Sequence, residues 1–176
     1  MSKYLYTISD IGIYFNNVDL PHSKENRILE QLWEDRNKVL ELKYRNNKKY
    51  FYNSVRKETE KYLLDVNDNE IDAINRMLKD IGSNFTIDNS YTEEYVIEAF
   101  FRVIKLKLAY TDDVNNVKMK LRTLLGYFGY KRRSQQFVDS VKRTIKALEL
   151  VTYLKGYELC DISIIKLDDM IMIRLK

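Results

Sequence analysis

A run of cationic and amide side chains spans residues 131 to 136, in the order Lys-Arg-Arg-Ser-Gln-Gln. Arginine forms bidentate hydrogen bonds with phosphate and guanine, and glutamine forms them with adenine, so these residue types suit contacts to a nucleic-acid backbone and to base edges. The residues that follow have a helical pattern whose polar face adds three cations. The predicted nucleic-acid-binding residues are Lys131, Arg132, Arg133, Ser134, Gln135, Gln136, Lys142, Arg143 and Lys146.

The distribution of charge favours this interpretation. Lys and Arg outnumber Asp and Glu by 13 to 6 in residues 117–176, whereas residues 1–116 carry 17 basic against 20 acidic residues. The last third therefore has a net charge of +7, and the rest has −3. Such asymmetry is typical of a chain whose basic end contacts a polyanion, and also of a solvated surface without a partner.

Three aromatic residues, Tyr127, Phe128 and Tyr130, surround Gly129 just before the basic run. Exposed rings of this kind stack on unpaired bases, whereas buried ones pack where two helices meet. We expect the second arrangement, because packed helix junctions are the commoner setting for such rings.

Catalytic chemistry has less support. His22 and Cys160 are the only histidine and cysteine, which excludes the usual Cys/His zinc sites, and no glycine-rich phosphate-binding motif occurs. Glu41 and Lys43 resemble the Glu-x-Lys strand of PD-(D/E)xK nucleases, which need an upstream aspartate, Asp19 or Asp35. We expect no enzyme, no cofactor and no metal, and a Mg²⁺-dependent nuclease using Glu41 and Lys43 is the least favoured alternative.

Residues 1–90 are expected to form a helical region. Aromatic and β-branched residues predict a strand or extended arm over 3–15, and helical spacing predicts a helix over 23–38. A β-hairpin near 38–53, turning at Asn46-Asn47, is favoured over a continuous helix. Two further helices are predicted over 54–66 and 67–82.

Residues 91–176 are expected to be winged-helix-like. A buried central helix is predicted first, then a short helix over 117–129 and a longer one that begins near Ser134 and continues past Val151. "ISIIKL" and "MIMIRL" predict a terminal β-hairpin. The predicted fold class is therefore α+β and mostly helical: one compact unit with a helical body, a winged-helix-like C-terminal portion and a terminal β-hairpin.

The segment "LRTLLGYFGYKRRSQQFVDSVKRTIKALEL", followed by "IIKLDDMIMIRL", resembles a small helix-plus-sheet module of prokaryotic restriction and defence-related proteins. The resemblance covers about the last third of the chain. It implies nucleic-acid contacts at Arg132, Arg133 and the start of the following helix. That module often has a proline before the sheet, which "GYELCDI" lacks.

Fourteen tyrosines, one proline and five glycines are typical of proteins from AT-rich bacterial, phage or plasmid genomes. The absence of a long apolar run and of a signal-peptide pattern predicts a soluble, cytoplasmic protein. The expected function is non-catalytic binding of nucleic acid, preferably DNA, through a helix-turn-helix. The alternative is a phage or mobile-element inhibitor that docks on a nucleic-acid-bound host enzyme such as a CRISPR effector. A homo-oligomer is compatible with either function, and no membrane partner is expected.

Overall fold

The computed structural model describes residues 5–18, 20–64, 93–154 and 159–176. Within these ranges the chain is a mixed α+β protein, mostly helical, with a small three-stranded antiparallel sheet near its C terminus, so the predicted fold class is confirmed. The helix predicted over 67–82 and the side chain of Asp19 lie outside the described residues. The described helices include none that is long and apolar enough to cross a membrane.

The first part of the chain forms a group of packed helices. They are α1 (Ile8–Asn17), α2 (His22–Glu34), α3 (Arg36–Val39) and α4 (Lys48–Leu64), with a 3₁₀ turn at Leu42–Tyr44 before α4. The next described helix, α5 (Glu93–Tyr110), is the predicted buried central helix. It packs against α1 on one side and against the C-terminal elements on the other.

The strand or arm predicted for residues 3–15 is wrong, because α1 occupies most of that range. A capping box starts the helix: the Asp10 backbone N–H donates to Thr7 Oγ1 (3.0 Å), and the Thr7 N–H donates to Asp10 Oδ2 (2.8 Å). Gly12 lets α1 lie close to α4, since a Cβ at that position would be 2.7 Å from the Cβ of Glu58. Burial of the aromatic and β-branched residues in this helix-helix contact outweighs their strand propensity.

The hairpin predicted near 38–53 is also wrong. Asn47 lies at the start of α4, and its Oδ1 accepts a hydrogen bond from the Tyr50 N–H (2.9 Å). The residue pair chosen as a hairpin turn therefore supplies a helix cap, a role that asparagine fills equally well. Phe51 and Val55, four residues apart, are both buried along α4.

The C-terminal portion contains β1 (Val117–Lys120), α6 (Leu121–Tyr127), α7 (Gln135–Ala147), β2 (Leu150–Tyr153) and β3 (Met170–Leu175). β3 lies between β1 and β2 and is antiparallel to both. From α5 onward the order is helix, strand, helix, helix, strand, strand, with the last strand central. A winged helix has the same order of elements, with its last strand between the other two.

Three boundaries differ from the sequence-based expectation. Residues 117–120 form β1 rather than helix, because Val117 and Met119 are buried and alternate with exposed lysines. The helix α7 ends before Val151, since Glu149 has a positive φ of 54° and the chain then enters β2. The second arm of the predicted terminal hairpin is β3, but residues 162–167 form turns, so β3 pairs with β1 and β2 instead.

Candidate nucleic-acid interface

The helices α6 and α7 are joined by a turn over residues 128–134. Gly129 has a φ of 73°, a conformation that favours glycine and that turns the chain after α6. Ser134 then caps α7, because its Oγ accepts a hydrogen bond from the Phe137 N–H (3.2 Å). The turn therefore has a defined conformation at both ends, at Gly129 and at Ser134, and this sets how the basic residues 131–133 lead into α7.

Packed aromatic rings hold this turn against the central helix. The ring centroid of Phe100, from α5, lies 5.1 Å from that of Tyr127 and 5.3 Å from that of Phe128. On the other side, Phe137 of α7 lies 5.8 Å from Phe128 and 4.9 Å from Tyr130. The prediction that these aromatic residues pack a helix junction is confirmed, and Tyr127 is fully buried.

The helix α7 has one apolar and one polar face. The buried face packs on α5 and β2 and includes Phe137, Val138, Val141 and Thr144. The exposed face consists of Gln135, Gln136, Asp139, Lys142, Arg143 and Lys146. The structure thus places most of the predicted binding residues on one solvent-facing side of a single helix and on the turn before it.

Arg133 has a structural partner that the sequence did not indicate. Its Nη1 donates hydrogen bonds to the backbone oxygens of Ile162 (2.9 Å) and Ile165 (2.7 Å) in the β2–β3 connection. These two isoleucines are buried. Arg133 therefore attaches the β2–β3 connection to the turn before α7, and part of its hydrogen-bonding capacity is already used.

Lys142, on α7, also bonds to the β2–β3 connection. Its Nζ lies 2.7 Å from Asp161 Oδ1 and 3.3 Å from Ser163 Oγ. The hydrogen bonds from Lys142 and Ser163 keep the pKa of Asp161 well below its ordinary value. A carboxyl with a lowered pKa stabilises the fold above its unfolded-state pKa, so this attachment is complete at neutral pH and is lost only as pH falls through the lower folded-state value.

Two further predicted residues have local roles. Ser134 is the helix cap, and Gln135 Nε2 donates to Asp139 Oδ1 (2.9 Å). The remaining predicted residues are exposed: Lys131, Arg132, Gln136, Arg143 and Lys146. Among the residues that the structure describes, Lys131, Arg132 and Lys146 take part in no ion pair, which leaves their charge available to an anionic partner.

A groove of about 460 Å³ lies between the second half of α7 and the β2–β3 region. Lys142, Lys146 and Lys176 line it together with Glu149 and an apolar floor that includes Ile145. Lys176 follows β3, and its backbone N–H donates to the backbone carbonyl oxygen of Glu149 (3.0 Å). Sequence analysis did not include Lys176, because only the pairing of β3 with β2 brings the chain's last residue beside α7.

The strand predicted to carry Glu41 and Lys43 is absent, since Glu41 precedes the 3₁₀ turn and Lys43 lies within it. Their closest charged atoms are 3.8 Å apart, so the two side chains form an ion pair with each other. Asp35 Oδ2 accepts a hydrogen bond from the Tyr110 hydroxyl (3.3 Å). Across the described ranges, no group of three or more His, Cys, Asp or Glu side chains is placed to hold a metal ion.

No protein-family model, curated protein or solved structure matches the chain.

Proposed function

We propose that the chain binds nucleic acid without catalysing a reaction and that duplex DNA is the preferred form. The observation that supports this proposal is the exposed start of α7, where Lys131, Arg132 and Gln136 are on the solvent side of a helix-turn-helix whose other side is packed in the core. In such an arrangement the first residues of the second helix approach base edges, and neighbouring cations bind phosphates.

Duplex DNA suits this surface better than RNA does. Sequence-specific RNA modules mostly offer a sheet with exposed stacking rings or a GXXG loop, whereas the rings beside this turn, Tyr127 and Phe128, pack inward against Phe100. A helix with cations and amides on its exposed face fits the major groove of B-form DNA.

The first test is single charge reversal. Arg132→Glu and Lys146→Glu are each expected to weaken binding of a labelled duplex about five- to ten-fold near 0.1 M salt, because one phosphate contact contributes about 0.9 to the slope of log K against log salt. Fluorescence anisotropy over a series of salt concentrations measures both quantities. Lys24→Glu, an exposed lysine on α2, is the matched control and should leave affinity within about two-fold. Absence of duplex binding by the unmodified chain at about 50 mM salt would sink the proposal.

A second test removes an acidic partner. Asp161→Asn is expected to tighten duplex binding and to increase the salt slope by about 1, because it releases Lys142 from its ion pair on the exposed face of α7. Asp112→Asn makes the same change of charge beside Arg27, away from α7, and is the control. Equal effects of the two substitutions would mean that net charge, and not the position of Lys142, determines affinity.

A protein partner is the second candidate, supported by apolar residues that stay exposed in the β2–β3 connection. Ile164 is 78% exposed, between two buried isoleucines, and Leu159 is 77% exposed. Exposed apolar side chains of this kind favour a protein-binding surface, such as that of an inhibitor docked on a nucleic-acid enzyme. This candidate predicts that the chain captures such an enzyme but does not bind free DNA, and that Ile164→Ser abolishes the capture.

A further inference from the structure

A second strongly basic segment lies outside the C-terminal third, in residues 36–57. It holds eight basic residues and one acidic residue, a net charge of +7 in 22 residues. The acidic residues elsewhere in residues 1–116 hide this segment when charge is summed over the whole first part of the chain. The structure places it from α3 to the middle of α4.

We propose that the start of α4 and the 3₁₀ turn before it bind single-stranded nucleic acid. The proposed contact residues, called here the Tyr50 surface, are Leu42, Lys43, Lys48, Lys49 and Tyr50, and all five are exposed. The chemistry is that of stacking on unpaired bases beside a cationic path for the phosphates, which single-stranded DNA and RNA both offer.

The central feature of the Tyr50 surface is a pair of stacked rings. The ring centroids of Tyr44 and Tyr50 lie 5.3 Å apart, and the ring planes differ by 22°. Tyr44 is buried, whereas Tyr50 is 49% exposed. Tyr50 is therefore supported from beneath by another ring and open to solvent, so a base placed on it would extend an existing stack.

The backbone beneath these rings is fixed before any ligand binds. Asn47 caps α4 through the Tyr50 N–H, and Arg45 Nε donates to the Leu40 oxygen (2.7 Å), which is itself in the core. A ring held in this way loses little conformational freedom on binding, and low ordering cost favours affinity. The 3₁₀ turn and α4 thus offer a rigid stacking surface.

Three lysines, Lys43, Lys48 and Lys49, are exposed in the 3₁₀ turn and at the start of α4, close in the chain to the two rings. Lys43 Nζ lies over the Tyr44 ring, 4.9 Å from its centre. Lys48 pairs with Glu30 (2.6 Å), whereas Lys49 is exposed and in no ion pair with a described residue. Lys43 pairs with Glu41 only at 3.8 Å, a loose contact that a phosphate can replace.

Packing alone does not account for this surface. A ring pair that only fastened the start of α4 would gain most by burying both rings. Here the Tyr50 side chain is 49% exposed, and Leu42, in the 3₁₀ turn before α4, is 60% exposed. Exposed apolar and aromatic groups among cations match the composition of single-strand-binding grooves.

The test measures binding of labelled dT₁₅ and U₁₅ oligonucleotides by the full chain in fluorescence anisotropy. Tyr50→Leu is expected to weaken binding about ten-fold, because a leucine still covers Tyr44 but offers no ring for a base, and Tyr50→Phe should stay within about two-fold. Lys49→Glu, at an exposed position, should weaken binding about five-fold and lower the salt slope. Preference for dT₁₅ or U₁₅ identifies the source of the strand.

Lys24→Glu is again the control, and thermal unfolding checks that each variant is folded. Tyr50→Leu and Lys49→Glu variants that bind both oligonucleotides as tightly as the unmodified chain would overturn this proposal. The Tyr50 variants should leave duplex binding unchanged, and Arg132→Glu should leave most oligonucleotide binding intact. Failure of duplex binding therefore overturns the function proposed for α7 without affecting this inference, and the reverse also holds.

Discussion

Replacing Phe137 with alanine is expected to lower the free energy of unfolding by about 3–5 kcal/mol, the usual loss when a buried phenylalanine is truncated. Phe137 is fully buried, and its ring contacts those of Phe128 and Tyr130. It is also the residue whose N–H donates to the Ser134 cap, so it joins α7 to both the turn and the core. Urea unfolding followed by far-UV circular dichroism measures the loss.

Gln136→Ala is the matched control, because Gln136 precedes Phe137 on the exposed face of the same helix. Its free energy of unfolding should stay within about 0.5 kcal/mol of the unmodified value. A loss below about 1 kcal/mol for Phe137→Ala would contradict the view that the aromatic junction positions α7.

Hydrophobic periodicity predicted the elements that bury one continuous stripe. The central helix α5 and most of α7 have apolar residues at helical spacing, and both pack in the single apolar core that extends from Tyr6 to Ile173. The aromatic residues around Gly129 were likewise predicted to pack, because three rings beside a glycine rarely stay in solvent. These inferences depend only on near neighbours in the chain.

The sequence-based predictions were wrong for elements that are determined by distant contacts. Residues of α1 have strand-like composition, but Gly12 allows close contact with Glu58, far along the chain in α4. The alternation of buried and exposed residues in β1 is only four residues long. A pattern this short does not distinguish a strand from the start of a helix, and only the pairing with β3 identifies the strand. The Asn46-Asn47 pair fits a turn and a helix cap equally well, and packing of Phe51 decides between them.

In the candidate site, too, the sequence predicted what depends on near neighbours and missed what depends on distant contacts. The sequence identified the cations of α7, because they are neighbours on one helical face. It did not separate Arg133 and Lys142 from the rest, since their partners Ile162, Ile165 and Asp161 lie about 20 to 30 positions away in the chain. Residues that could bind an anion and residues that hold the β2–β3 connection have the same types, and only the fold distinguishes them.

A buried ion pair joins α1 to the central helix, and its loss is the second large effect that we expect. Asp10 is 1% exposed, and its Oδ2 lies 2.8 Å from Arg102 Nε on α5. Burial raises the pKa of Asp10, whereas Arg102 and the hydrogen bonds with Thr7 lower it. Burial is the largest of these influences, so the pKa of Asp10 is raised overall. A carboxylate in the interior is unfavourable unless a cation such as Arg102 lies beside it.

Asp10→Ala is therefore expected to lower the free energy of unfolding by about 3–5 kcal/mol, since it removes the carboxylate that lies 2.8 Å from the Nε of Arg102 in the interior. Urea unfolding measures the loss, and Asp112→Ala, which removes a surface partner of Arg27, should have a much smaller effect. The double variant Asp10→Ala/Arg102→Met should be more stable than Asp10→Ala alone, because it also removes the guanidinium whose charge the Asp10 carboxylate balances in the interior. If the losses of Asp10→Ala and of the single variant Arg102→Met simply add in the double variant, the cost arises from lost packing and helix capping, and not from the ion pair between the two residues.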